Sequence, residues 1–333
     1  MRRTGICAFL GGLAVIPFVV HNAYYLHVMN LALINVIVVV GLNLATGVTG
    51  QIVLGQAGLM GIGAYATGVL MVRAALPWYV AGFLALVLSS LVGIGLGTVS
   101  TRIKGHYLAI TTLGFNEIFR LITVNETEFT GGPSGLTGIR QLRLPALGLH
   151  PDHQLYLPLL GLSVLMTFLA LRVFRSRFGR NFRAIRDNEV AAEAMGVNSR
   201  VAKTQAFVLC SLWAGAGGVA YVLLVGFIAP NNFTISESIR YLVMLVVGGL
   251  GSIPGSYLGA LLITILPEAL RAWEQYYLFG YAVGIIVVLL AFPRGLGAIA
   301  GWFMEPPAGA QPLPAQDLAT LPGSKTEKTL GAP

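Results

Sequence analysis

Charge is what this sequence has least of. Thirteen acids and twenty-one bases among 333 residues make it 10% charged, where a soluble domain carries about 25%. So few charged side chains cannot cover a 35.3 kDa globule whose mean hydropathy is +0.77, which excludes a water-soluble enzyme and leaves lipid as the solvent for most of the chain. Cysteine is also scarce. Cys7 and Cys210 lie in apolar runs and are too few for a disulfide framework, so both are read as packing residues. No G-x-x-x-x-G-K-[ST] string occurs, and the nearest match, Gly323-Ser324-Lys325-Thr326, lacks the upstream glycine. The chain is therefore not expected to hydrolyse ATP. No Ser, His and acid set or Cys/His cluster at membrane depth supports an intramembrane enzyme. His150 and His153, three apart with Asp152 as the one nearby third ligand, read as part of a surface loop rather than a metal site.

Long apolar runs are abundant. A bilayer core about 30 Å thick needs about 20 apolar residues at helical rise, and candidate spans lie near 7–26, 29–45, 52–72, 76–100, 105–123, 154–174, 204–225, 239–250, 256–268 and 278–293. The predicted fold is all-α, a polytopic integral membrane bundle of about ten spans within a range of eight to twelve, some broken at Gly or Pro. The two short spans flank Gly251-Ser252-Ile253-Pro254-Gly255, so they form either one broken helix or two helices with a tight turn. The first span follows Met-Arg-Arg without a convincing small-x-small cleavage site and is read as an uncleaved helix.

Orientation follows from the bases, which cytoplasmic loops retain. With the N-terminus inside, fifteen of the twenty-one fall on the cytoplasmic side and five outside, with Arg120 near an outer helix end. The net charge of +8 is thus topology. A nucleic-acid partner would need bases gathered on one folded surface with aromatic or helical readers, and none is expected. Residues 1–304 form the membrane domain, with a polar cytoplasmic loop at 175–203. The Pro-, Ala- and Gly-rich stretch 305–333 is expected to be a disordered cytoplasmic tail.

Three segments carry information. In the first, Gly47 through Tyr65, six glycines accompany Gln51 and Gln56, and Asn35 and Asn43 precede them in an apolar span. Amides at membrane depth are costly unless paired or facing water, so Asn43, Gln51 and Gln56 belong either to interhelical hydrogen bonds or to a pathway. In the second, the span at 105–123 carries Thr111, Thr112, Asn116, Glu117 and Arg120 and is too polar to face lipid. Glu117 and Arg120 are three apart and can neutralise each other or bridge to another helix; a proton-coupling role for Glu117 lacks a second intramembrane acid. The turn-rich string Thr130-Gly131-Gly132-Pro133-Ser134-Gly135 follows on the outer face.

The third is the basic loop. Between Arg186 and Gly196 the spacing predicts a helix of about two turns, with Asp187 as cap, Glu189 at its positive end and Gly196 as its stop. Val190, Ala191, Ala194 and Met195 share one face, and Glu189 and Glu193 form an acidic ridge. So short a helix is unstable in water and needs a supporting surface, from a partner or from its own membrane domain.

Taken together, the run from Leu42-Asn43-Leu44 to Ala64-Tyr65, the run from Gly105-His106-Tyr107 to Gly135, the run from Phe178-Gly179-Arg180 to Gly196, and Gly248-Gly249-Leu250-Gly251-Ser252 resemble the permease subunits of ATP-binding cassette importers for branched-chain amino acids, the longer of the two permease types. The similarity covers about residues 29 to 300. It implies a non-catalytic subunit of a bacterial-type inner membrane, both termini cytoplasmic, working with a second, related permease, two ATPases that hold ATP and Mg, and an extracytoplasmic binding protein. The chain itself would bind no cofactor. By the same resemblance Glu189, Val190, Ala191, Ala192, Glu193, Ala194, Met195 and Gly196 form the coupling helix on the ATPase. A zwitterion passing through needs polar relief, for which Asn43, Gln51, Gln56, Thr111, Thr112, Asn116 and Glu117 are the candidates. Relatives of this architecture also import urea, short amides or other amino acids. A gradient-driven carrier using Glu117 and a noncatalytic scaffold are the rival classes.

Overall fold

A backbone amide in hydrocarbon has no water to bond, so a crossing segment satisfies its hydrogen bonds within itself as a helix. The computed structural model, which describes residues 17, 22–103, 105–142, 151–270, 277–292 and 295–297, is helical throughout, with one isolated antiparallel bridge, Leu136 to Ile228. The helices are α1 (Ala23–Leu42), which runs on through a π-helical stretch at Asn43–Val48, α2 (Gln56–Val72), α3 (Trp78–Ser100), α4 (His106–Asn125), α5 (Thr127–Thr130), α6 (Pro151–Arg175), α7 (Arg177–Asp187), α8 (Glu189–Ala194), α9 (Ser199–Val225), α10 (Ile235–Gly248), α11 (Ile253–Ala269) and α12 (Tyr277–Ala291). Among the described residues four segments are long and apolar enough to cross a membrane: Ala23–Val48, Trp78–Ser100, Gln154–Arg175 and Ser199–Val225. The chain is a polytopic helical membrane protein.

Helix α3 inverts the size order of a soluble protein's helix. On α3 the buried positions are small, with Ala81, Ala85, Ser89, Gly93 and Gly97 repeating every fourth residue, while Phe83, Val87, Leu91 and Ile94 point outward. Lipid tails are as apolar as leucine, so burying large side chains gains little and close backbone packing is what joins the helices. Helix α9 lies against α3, α2 and α1. A side chain on Gly218 would overlap the carbonyl of Met60, and one on Gly63 would overlap the backbone of Gly215, which fixes how closely α2 and α9 cross. Central α1 is apolar on all sides and buried along nearly its whole length, as the middle member of a bundle must be.

Several boundaries differ from those expected. The first predicted span falls almost entirely outside the described residues, as do the tail and His150. Residues 23–26, assigned to that span, instead open α1, because Asn22 caps it by accepting from the Tyr24 amide at 3.0 Å. Helix α2 starts at Gln56 rather than 52. Gly50, at φ +79°, takes the backbone out of helix, and the amides of Gln51, Val53 and Leu54 bond instead to Ala45 O, Thr46 Oγ1 and Thr112 Oγ1. The segment around 251 is a tight turn between two separate helices. Ser252 caps α11 through the Gly255 amide, and α10 and α11 pack as a hairpin in which Gly259 meets the Met244 carbonyl. Helix α6 begins at Pro151, so His153 lies in its first turn and not in a loop.

The ends of the bundle sort by contact. At one end Gly47, Gly251 and Arg186 meet; at the other, Leu136 pairs with Ile228 and Arg73 donates to the Glu128 carbonyl.

Candidate functional site

Where α1 gives way to its π-helical stretch, Asn43 closes the break. Its Nδ2 donates to Ser256 Oγ at 2.7 Å, and its Oδ1 accepts from the Gly251 amide at 2.9 Å, tying α1 to the α10–α11 turn. The start of α2 is closed from neighbouring elements. Its first free amides, which a helix cannot satisfy internally, go to Ser238 Oγ from Ala57 (2.9 Å) and to Asn116 Oδ1 from Gly58 (2.6 Å). Asn116 also donates to the Phe233 carbonyl, Gln56 donates to the Val38 carbonyl at 3.0 Å, and Cys210 donates to Gln56 Oε1 at 3.1 Å. Thr112 donates to Ala109 O and accepts from the Leu54 amide. Four of the candidate pathway residues, Asn43, Gln56, Thr112 and Asn116, are thus buried and bonded.

Gln51 differs. It is only 5% exposed, yet neither amide atom has a hydrogen-bond partner among the described residues. An unsatisfied buried group of this kind costs about 1–3 kcal/mol. Gln51 lines a cavity of about 150 Å³ with Thr49, Ser100, Arg186, Glu189 and Lys203, at the same end of the bundle as the Gly47–Gly251 junction. Arg186 fastens that junction by donating to the Gly47 carbonyl at 2.5 Å.

Helix α4 sits at the edge of the bundle, touching chiefly α2 and the segments around Gly132–Ser134 and Pro230–Phe233. Its outer face carries Tyr107, Ile110, Ile118 and Ile122, with Gly114 facing open space. Thr111 bonds back to Tyr107 O. Glu117 and Arg120 are paired on their own helix, with Arg120 Nε 3.0 Å from both carboxylate oxygens, and both remain about a third exposed. Behind them Tyr65, Phe119, Phe233 and Tyr221 pack edge to face and join α4 to α2 and α9. Sequence inspection missed this cluster because its four rings come from separate segments with no shared spacing.

In the basic loop the predicted short helix is α8, but its cap is Asn188, which accepts from the Ala191 amide at 3.1 Å. Asp187 instead ends α7. Gly196, at φ +85°, follows the helix end. The acidic ridge is tied to its own chain: Glu189, half-buried, pairs with Lys203 of α9 at 2.5 Å, and Glu193, which stays exposed, accepts from the Ser199 hydroxyl. Ala192 packs beneath, beside Phe182 and Ala206. Val190, Ala191, Ala194 and Met195 are all exposed. Val190 is 74% exposed and Met195 86%. The exposed apolar face thus stands over one ion pair and one hydrogen bond made within the chain.

Comparison with known proteins gives this arrangement its setting. Residues 24–292 match the family described as "Branched-chain amino acid transport system / permease component". The chain belongs to that family. It is 32% identical over 303 residues to the high-affinity branched-chain amino acid transport system permease protein LivM of Escherichia coli K12, covering 84% of this chain and 71% of that protein. It is also 27% identical over 311 residues to the autoinducer 2 import system permease protein LsrC of Enterobacter sp. 638, covering 87% of each. The probable branched-chain amino acid transport permease LivM of Methanocaldococcus jannaschii is 28% identical over 207 residues, 61% of this chain and 59% of that protein. No solved structure matches. Membership in the permease family makes the chain a non-catalytic membrane subunit of an ATP-binding cassette transporter.

Proposed function

We propose that this permease imports branched-chain or closely related amino acids across a bacterial-type inner membrane, receiving them from an extracytoplasmic binding protein and working beside a second, related permease and two ATPases that hold ATP and Mg. The observation that carries the coupling half of this reading is α8. Its outward face is apolar and small, its polar groups are spent on its own chain, and it lies within the most basic stretch of the sequence. An ATPase seated on Ala191 and Ala194 would transmit ATP-driven closure through Arg186 and the Glu189–Lys203 pair into the Gly47–Gly251 junction. ATP works here by differential affinity for one permease conformation. The substrate half rests on the greater identity to LivM than to LsrC.

The candidate pathway residues divide by geometry. Asn43, Gln56, Thr112 and Asn116 act as fasteners between helices, whereas Thr111 and Glu117 lie toward the accessible side of α4, where a second permease and the substrate would approach. The bidentate pairing of Glu117 with Arg120 favours ATP coupling over a proton-coupled carrier. The test is uptake in liposomes holding this chain with its copurifying partners and the binding protein. Radiolabelled L-leucine accumulates only with ATP inside the compartment that carries the ATPases, and excess L-isoleucine or L-valine competes where urea and acetamide do not. Competition by urea alone would reject the substrate, and accumulation without ATP would reject the importer.

A further inference from the structure

The cavity beside Gln51 has a specific composition. Its walls come from three regions: Thr49–Ile52 of the break between α1 and α2, Ser100, Ile103, Gly105 and Leu108 where α3 passes to α4, and Arg186 and Glu189 of the α7–α8 segment with Lys203 of α9. At about 150 Å³ it is far larger than the ~30 Å³ share of one liquid water. Two cations face one carboxylate, so the described lining favours a single negative charge. The Glu189 carboxylate, already 2.5 Å from Lys203, disfavours a dianion such as phosphate. At the inner wall the buried Gln51 offers one unused donor and one unused acceptor, with the Ser100 and Thr49 side chains alongside.

We propose that this cavity binds a small carboxylate, of the size and charge of an α-amino acid, entering from the cytoplasmic side. The carboxylate accepts from Gln51 Nε2 and from the guanidinium of Arg186, which lies at the exposed mouth. In a zwitterion, the ammonium donates to Gln51 Oε1 and toward Glu189. Such a ligand bridges the α1–α2 break to the α8 loop and holds the two together. It therefore stabilises the conformation seen here and opposes any movement of α8 away from the membrane domain. That regulatory consequence rests on the coupling role given to α8 above; the binding itself does not.

Hydrogen–deuterium exchange on the full-length chain, extracted in mild detergent with its copurifying chains, tests binding without requiring transport. Millimolar L-alanine is expected to slow exchange in peptides covering 47–54 and 185–203, and L-alaninamide, which lacks the carboxylate, is expected not to. Gln51→Leu abolishes the protection while leaving unliganded exchange unchanged. Should that variant fold poorly, Gln51→Glu, which places a second negative charge against the ligand, abolishes it as well. Protection by acetate equal to that by L-alanine supports a general monocarboxylate site, and protection by L-alanine alone supports an amino-acid site. Absence of protection by either carboxylate, equal protection by L-alaninamide, or protection retained in both variants overturns the proposal. Because the readout needs no ATPase, such a result would leave the importer reading standing.

Discussion

Asn43 and Gln51 are buried amides from the same glycine-rich break, and the structure treats them in opposite ways. Asn43 spends donor and acceptor on Ser256 and Gly251, and so fastens α1 to the α10–α11 turn. Gln51 spends neither and looks into a cavity. The same contrast separates two regions of the molecule. The crossing of α9 with α2 and α3 is close and set by glycine, alanine and serine, whereas the α1–α2 break and the α8 loop meet across polar side chains with space between them. A bundle that must change shape needs both: a scaffold that does not yield and a junction whose bonds are few enough to exchange.

The contrast predicts a ranking of damage. Gly218→Leu drives a branched side chain into the Met60 carbonyl and is expected to have the largest effect, exceeding the about 1–3 kcal/mol typical of overpacking, read as loss of monodisperse protein in detergent. If that variant extracts normally, the rigid half of the comparison is broken. Asn43→Leu strands the Gly251 amide and removes the donor to Ser256 Oγ, which keeps its own bond to the Ser252 carbonyl; it should cost about 1–3 kcal/mol, seen as a lowered thermal midpoint. Gln51→Leu removes a group that was already unsatisfied, so its midpoint should stay level with the native chain or rise. A fall as large as that of Asn43→Leu would show that the two amides do the same work. The smallest effect concerns Glu117: collapsing the proton gradient at constant ATP should leave uptake unchanged, because the carboxylate is held in a bidentate pair on its own helix. Uptake that falls with the gradient would restore the carrier reading.

What the sequence made legible follows from what lipid enforces. Apolar runs of crossing length had to be helices, so α3, α6 and α9 lie within a few residues of their predicted limits. The apolar face of α8 was readable from Val190, Ala191, Ala194 and Met195, since a helical period places them together whatever the surroundings. The start of α2 was not, because Ile52-Val53-Leu54 looks as helical as its neighbours. The hydroxyl of Thr112, which takes the Leu54 amide, is far away in sequence. Likewise nothing local to Gln56, Asn116 or Asn43 announced Val38 O, Phe233 O or Ser256 as partners. Asp187 and Asn188 are equally good caps by residue type, and only the length of α7 decides between them.

Engagement of an ATPase by α8 is tested most directly by capture. Native and Ala194→Arg chains are extracted in mild detergent, and copurifying ATP-binding cassette subunits are quantified by mass spectrometry. Position 194 is exposed on α8, so the arginine leaves membrane insertion and the Glu189–Lys203 pair intact while placing a long cation in the small apolar face. If α8 is the docking helix, an ATPase accompanies the native chain and is lost from the variant at equal permease yield. An ATPase retained in full by Ala194→Arg, with uptake unaltered, would contradict it.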